Sequence, residues 1–117
     1  MAERLGKYTI ALNSHPSVTG FAAVVGKTEG EGPLKDEFDF VFEDDTLGEA
    51  SFEKAESALQ KEAVTRALSK AGKTPEEVDF SLAGDLLNQC IGSSFGLRSL
   101  NMPFIGLYGA CSTMALS

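Results

Sequence analysis

The spacing of apolar and polar positions predicts a chain that alternates strand-like and helix-like segments. Residues 1–7 are polar and read as an exposed lead-in. Tyr8–Leu12 is a short strand-like run, and Val18–Val25 is a second, rich in small residues that allow close packing. The two could form a hairpin, or one of them could be loop. Asn13-Ser-His-Pro16 between them is turn chemistry, because Pro16 holds its predecessor extended. Gly26 to Leu34 contains Gly26, Gly30, Gly32 and Pro33 and reads as a flexible loop.

Glu49 to Gly72 carries the clearest helical period. Phe52, Ala55, Leu59, Ala63, Ala67 and Ala71 recur at spacings of three or four and form one stripe, which Val64 and Leu68 widen. Glu56–Gln60 and Lys61–Glu62–Arg66 are expected to lie largely outward. Ser51 suits the N-cap and Gly72 the stop. Thr74-Pro-Glu-Glu77 is a capping box with proline at the first helical position, marking a short helical turn. Val78–Gly84 is then a strand, and Leu86–Arg98 a helix that Asp85 can cap. In that helix Gly92 and Gly96 weaken the backbone but leave a smooth face for tight packing. Cys90 reads as a buried helix residue, since a free cysteine behaves as a small hydrophobe.

Phe104–Tyr108 is nearly all apolar with no alternation, which suits a strand buried on both faces. Gly109 and Ala110 give a tight exit. Cys111-Ser112-Thr113 then opens a helix, where the positive end of the dipole favours a thiolate. The order of elements predicts an α/β class: a mostly parallel sheet of three to four strands with helices and right-handed crossovers, incomplete within residues 1–117. In such sheets ligands lie beyond the carboxyl ends of the strands. Asp85 and Cys111 both follow strand ends on that side and are the candidate ligand-binding residues. A cysteine in a tight strand–helix turn also reads, equally, as simply small and buried.

Charge narrows the function classes. The chain has 117 residues, 10 Lys and Arg against 17 Asp and Glu, and a net charge of −7. That balance argues against nucleic acid and against electrostatic attraction to anionic lipid. No apolar stretch reaches the ~20 residues that cross a bilayer, and the N-terminus lacks the apolar core of a signal peptide. Two cysteines, Cys90 and Cys111, make no disulfide framework, so a reduced intracellular compartment is expected. Asp36, Glu37, Asp39, Glu43, Asp44 and Asp45 cluster around Phe38, Phe40, Val41 and Phe42. A divalent-cation site or a basic-partner surface is one reading. The spacing lacks an EF-hand's alternating ligands, central glycine and final glutamate, so a solvated excursion pinned by its phenylalanines is preferred. His15, the single histidine, reads as a turn residue.

Gly84-Asp-Leu-Leu-Asn-Gln89 together with Pro103-Phe-Ile-Gly-Leu-Tyr-Gly-Ala-Cys-Ser-Thr-Met114 resembles the stage V sporulation protein AD family of spore-forming Firmicutes. The resemblance covers essentially the whole chain, but only about the first third of a family member. It implies the N-terminal part of a thiolase-like domain, similar to thiolases and type III ketoacyl synthases. In those enzymes a nucleophilic cysteine opens a buried helix after the third strand, and Cys111 matches that position. The resemblance implies a non-enzymatic sporulation protein that binds dipicolinic acid (pyridine-2,6-dicarboxylic acid) and assists its uptake into the developing spore. Asp85 and Cys111 would contribute to the pocket, with no cofactor and no metal. Implied partners are other stage V sporulation membrane proteins, with a homodimer for the full-length form. The implied location is the forespore, peripheral to the spore inner membrane. Two alternatives stay open: an acyltransferase with Cys111 as nucleophile, and a truncated piece without activity of its own.

Overall fold

The structure is a computed structural model and describes residues 2–117. Ala2–Leu5 (β1) and Thr9–Leu12 (β2) pair antiparallel, with Leu5 opposite Thr9 and Ala2 opposite Leu12. The expected polar lead-in is therefore one arm of a hairpin; Met1 lies outside the described residues. Gly6 makes this possible, because its φ of 75° is open to a residue without Cβ. Arg4 secures the turn by donating to the Lys7 carbonyl at 2.8 Å. The hairpin partner of β2 thus precedes it, and the Val18–Val25 run goes elsewhere. His15 sits in the exposed turn after β2, at a φ of 47°, as a turn residue should.

Only Val24–Val25 (β3) of that second run enters a ladder, and it pairs parallel with Phe40–Val41 (β4). The chain before it passes close to a helix at Gly20. A methyl group there would stand 2.7 Å from the Ala67 carbonyl oxygen and 3.0 Å from the Ala71 methyl. The expected loop at 26–34 contains a single helical turn, Lys27–Gly30 (α1). It forms because Asp45, distant in sequence, accepts from the Thr28 N–H at 2.9 Å and from its hydroxyl at 2.5 Å. A cap supplied from another part of the chain leaves no local sequence signal.

The acidic excursion is more than a solvated stretch. Asp39 accepts from the Ala23 N–H at 2.8 Å and pairs with Lys70, joining β3, β4 and the helix beneath them. Asp44 accepts from the Thr46 N–H at 2.8 Å. Phe40 and Phe42 pack edge to face at 4.9 Å, and Arg66 lies 4.2 Å over the Phe40 ring. The phenylalanines do pin the segment.

Phe52–Ala71 (α2) is the helix that the period predicted. Ser51 caps it, accepting from the Lys54 N–H, and Gly72 ends it at a φ of 64°. The Lys73 N–H then reaches back to the Leu68 carbonyl at 3.0 Å, which satisfies an otherwise orphaned acceptor. The buried face is not quite the expected stripe. Ala55 is buried, whereas Phe52 at the start of the stripe is exposed, and Glu56 and Gln60 turn inward to half-burial. The C-terminal half of α2 carries the β3–β4 pair, and the N-terminal half carries the next helix.

Thr74 and Glu77 form the expected capping box, with the Thr74 N–H donating to Glu77 Oε2 at 2.9 Å around the 3-10 turn Pro75–Glu77. Ser81–Gly84 (β5), Ile91–Leu97 (α3) and Phe104–Leu107 (β6) make a β–α–β unit, with β5 and β6 parallel and Ser81 opposite Phe104. The helix expected from Leu86 begins only at Ile91. Gln89 and Cys90 are left-handed at φ 65° and 51°, which interrupts any α-helical path through them. Cys90 is accordingly outside the helix interior: it is half-buried and its thiol donates to the Leu107 carbonyl at 3.1 Å.

Gly96 gives α3 its smooth face, since a methyl group there would lie 2.5 Å from the Ser57 carbonyl oxygen of α2. Leu97 is buried in the same contact region. β6 departs from its expected full burial. It has β5 along one edge, no described strand pairs with the other, and Ile105 remains 49% exposed. Thr113–Leu116 (α4) follows a 3-10 turn at Ala110–Ser112. The class is α/β, as expected, and its four parallel strands lie in two separate pairs.

Candidate functional site

A cleft of about 480 Å³ opens where β5 ends, between α2 on one side and the turn into α4 on the other. Asp85 and Cys111 both line it. The topology thus brings together the two residues singled out from strand ends, and it gives them different environments.

Asp85 is 4% exposed and its carboxylate is fully engaged. Oδ2 accepts from the Gly92 N–H at 2.9 Å, and Oδ1 accepts from the Ser93 hydroxyl at 2.7 Å and from the Ser93 N–H at 3.4 Å. These are the first amides of α3, which have no partner inside the helix. Asp85 is the helix cap that the sequence suggested, acting across the left-handed Gln89–Cys90 bend. Ser93 is fully buried beside it. Asp85 therefore braces the floor of the cleft.

Cys111 is exposed on the cleft rim, in the first turn after β6. The turn is held from within. Ser112 donates its N–H and its hydroxyl to the Gly109 carbonyl at 2.9 and 2.6 Å. Thr113 is buried and its hydroxyl accepts from the Gly109 N–H at 3.0 Å. Ala110 takes a φ of 48° to make the bend. Gly84 lets this turn sit against β5, because a methyl group there would collide with the Leu107 carbonyl and press on the Thr113 methyl.

Glu56 is the cleft residue that sequence reasoning placed wrongly, on the outward face of α2. It lines the same cleft and is half-buried. Burial raises its pKa above the usual glutamate value, and the nearby Asp85 carboxylate raises it further. A hydrogen bond from Gln60 at 3.4 Å works in the opposite direction. The one signal for Glu56 in the sequence was its place four residues before Gln60 and next to Ala55 on the helix. The cleft lining, among the described residues, carries no lysine or arginine. His15 is not part of it. A nucleophile needs a base within hydrogen-bond reach, and among the described residues none is hydrogen-bonded to the Cys111 sulfur.

The general class is an α/β unit with a cleft at the ends of its parallel strands, the place where sheets of this kind take ligands. The particular family follows from comparison. The family described as stage V sporulation protein AD (SpoVAD) matches residues 6–117. Stage V sporulation protein AD of Bacillus subtilis (strain 168) is 37% identical over 108 residues, which cover 92% of this chain and 32% of that protein. The chain belongs to the stage V sporulation protein AD family, and it spans about a third of the length of that curated relative.

Proposed function

We propose that the chain is part of a non-enzymatic sporulation protein that binds dipicolinic acid and assists its uptake into the developing spore. Family membership across residues 6–117 is the observation that carries this reading. The shared cleft of Asp85 and Cys111 supports it with a concrete location. In this reading Cys111 is an exposed wall of the pocket, and Asp85 holds the floor through α3. Glu56 and Asp85 make the cleft acidic, so an aromatic dicarboxylate bound there needs cationic or amide donors from elsewhere in a protein of the family's length. Such a protein, with a thiolase-like fold and homodimeric, would act in the forespore at the spore inner membrane with other stage V sporulation membrane proteins. No described helix of this chain is long and apolar enough to cross a membrane.

The exposure of Cys111 favours one other reading, an acyltransferase with that thiol as nucleophile. Alkylation separates the two in a family-length protein that carries these residues. The binding reading predicts that dipicolinic acid protects Cys111 from iodoacetamide and that an acyl-CoA analogue leaves it unlabelled. Acyl transfer to Cys111, or alkylation at the same rate with and without dipicolinic acid, contradicts the binding reading.

A further inference from the structure

We propose that Glu56 and Asp85 form a proton-operated latch between α2 and α3, closed when Glu56 takes up a proton. The two carboxylates converge on Gly92, the second residue of α3. A methyl group built on Gly92 would stand 3.1 Å from Glu56 Cδ, 3.2 Å from Glu56 Oε1 and 3.3 Å from Asp85 Oδ2. Gly92 is itself buried, so this is a tight junction between the helices. Ser57, next to Glu56, completes it by donating to the Gly92 carbonyl at 2.9 Å.

The two acids have unequal freedom. Asp85 accepts three hydrogen bonds from the first turn of α3, and moving it would orphan buried donors. Glu56 has one long bond from Gln60, and no ion pair holds it among the described residues. Glu56 is therefore the member that responds. The groups around it offer no compensating charge. Asp85 faces it from the end of β5 and Cys111 from the turn before α4. α3 contains no titratable side chain, and Gln60 is its neutral neighbour on α2. Ser117, just after α4, lines the same cleft with an uncharged side chain.

Two like charges in a half-buried site repel, and burial raises the cost of the ionised form. Loss of the charge on Glu56 removes the repulsion and turns its carboxyl into a hydrogen-bond donor beside Gly92. The junction tightens as pH falls and loosens as pH rises. This direction agrees with the raised pKa of Glu56, which makes the folded state the stronger proton binder. The cleft shares both carboxylates, so the same proton lowers its negative charge.

Carbon-detected nuclear magnetic resonance of the 117-residue chain tests the latch. Titration from about pH 8 to about pH 4 spans the glutamate range. The Glu56 side-chain carboxyl is expected to titrate at a higher pH than in the same chain unfolded in urea. The Gly92 and Ser93 amide resonances are expected to move with the same midpoint. In Glu56→Gln that movement disappears, and at neutral pH the Ser93 amide exchanges several-fold more slowly than in the wild type. A Glu56 midpoint equal to that of the unfolded chain overturns the proposal. So does an amide titration that survives Glu56→Gln.

Discussion

At the scale of single residues, Asp85 matters most. Its carboxylate satisfies two backbone N–H groups and the hydroxyl of the fully buried Ser93. Hydrogen bonds to a carboxylate contribute about 1.5–3 kcal/mol each, and removing their acceptor leaves buried donors unpaired. Asp85→Ala is therefore expected to destabilise the chain by roughly 2–4 kcal/mol in urea unfolding and to release Gly92 and Ser93 to fast amide exchange. Unchanged exchange at those amides would show that α3 is capped by something else. Gly96 makes a second prediction. It permits backbone contact between α3 and α2 at Ser57, where a methyl group has 2.5 Å. Gly96→Ala should lower stability by about 1–3 kcal/mol, the usual cost of overpacking, read as a shift in the urea midpoint without change in slope. Retention of the wild-type midpoint would mean that the helices separate freely there.

At the scale of elements, what was legible follows from the range of the interactions involved. Helix α2 was readable because its period, its Ser51 cap and its Gly72 stop all lie within the helix itself. The capping box at Thr74 and the short strands β5 and β6 were local in the same sense. The single turn α1 and the late start of α3 were not. Asp45 caps α1 from the far side of β4, and the Gln89–Cys90 bend is held by Cys90 reaching β6 and Asp85 reaching α3. The inward turn of Glu56 was hidden for the same reason, since only the docking of α3 decides which edge of α2 is covered. The site itself was half legible. Asp85 and Cys111 share a cleft as the strand order suggested, whereas their unequal burial depends on contacts that no spacing encodes.

The tie between β4 and α2 yields a prediction in pH. The hydrogen bond from Lys70 holds the Asp39 carboxyl below its usual range, with the Ala23 N–H adding to the effect. A folded pKa lowered in this way contributes stability above the unfolded value of 3.8, and that stability is lost as pH falls through the lower folded value. The Ala23 amide, bonded to Asp39, reports it directly. Its acid titration should shift to higher pH in Lys70→Met, towards the ordinary aspartate range. An identical titration in the variant would show that Lys70 does not hold Asp39.

At the scale of the whole molecule, the notable property is how little of the apolar surface is covered. Ala55 and Leu97 are the buried apolar side chains among the described residues, while Phe21, Phe52, Phe95 and Met114 are largely exposed. β6 offers an open edge beside exposed Phe104 and Ile105. Apolar surface of this extent favours association, and an unpaired strand edge gives it a direction. The 117-residue chain is expected to sediment as concentration-dependent oligomers and to bind a hydrophobic dye while folded. A chain that stays monomeric at every concentration and binds no dye while folded would contradict this account of its surface.

The central claim, that these residues belong to a protein whose cleft takes an aromatic dicarboxylate, is tested most directly by calorimetry. A family-length protein carrying these residues is titrated with dipicolinic acid, and with pyridine-3,5-dicarboxylic acid as the positional control. The account predicts saturable binding of the 2,6-isomer that weakens at least about tenfold, or ~1.4 kcal/mol, in Cys111→Phe, with little binding of the 3,5-isomer. No heat of binding from dipicolinic acid, or equal binding of both isomers unaffected by Cys111→Phe, would contradict it.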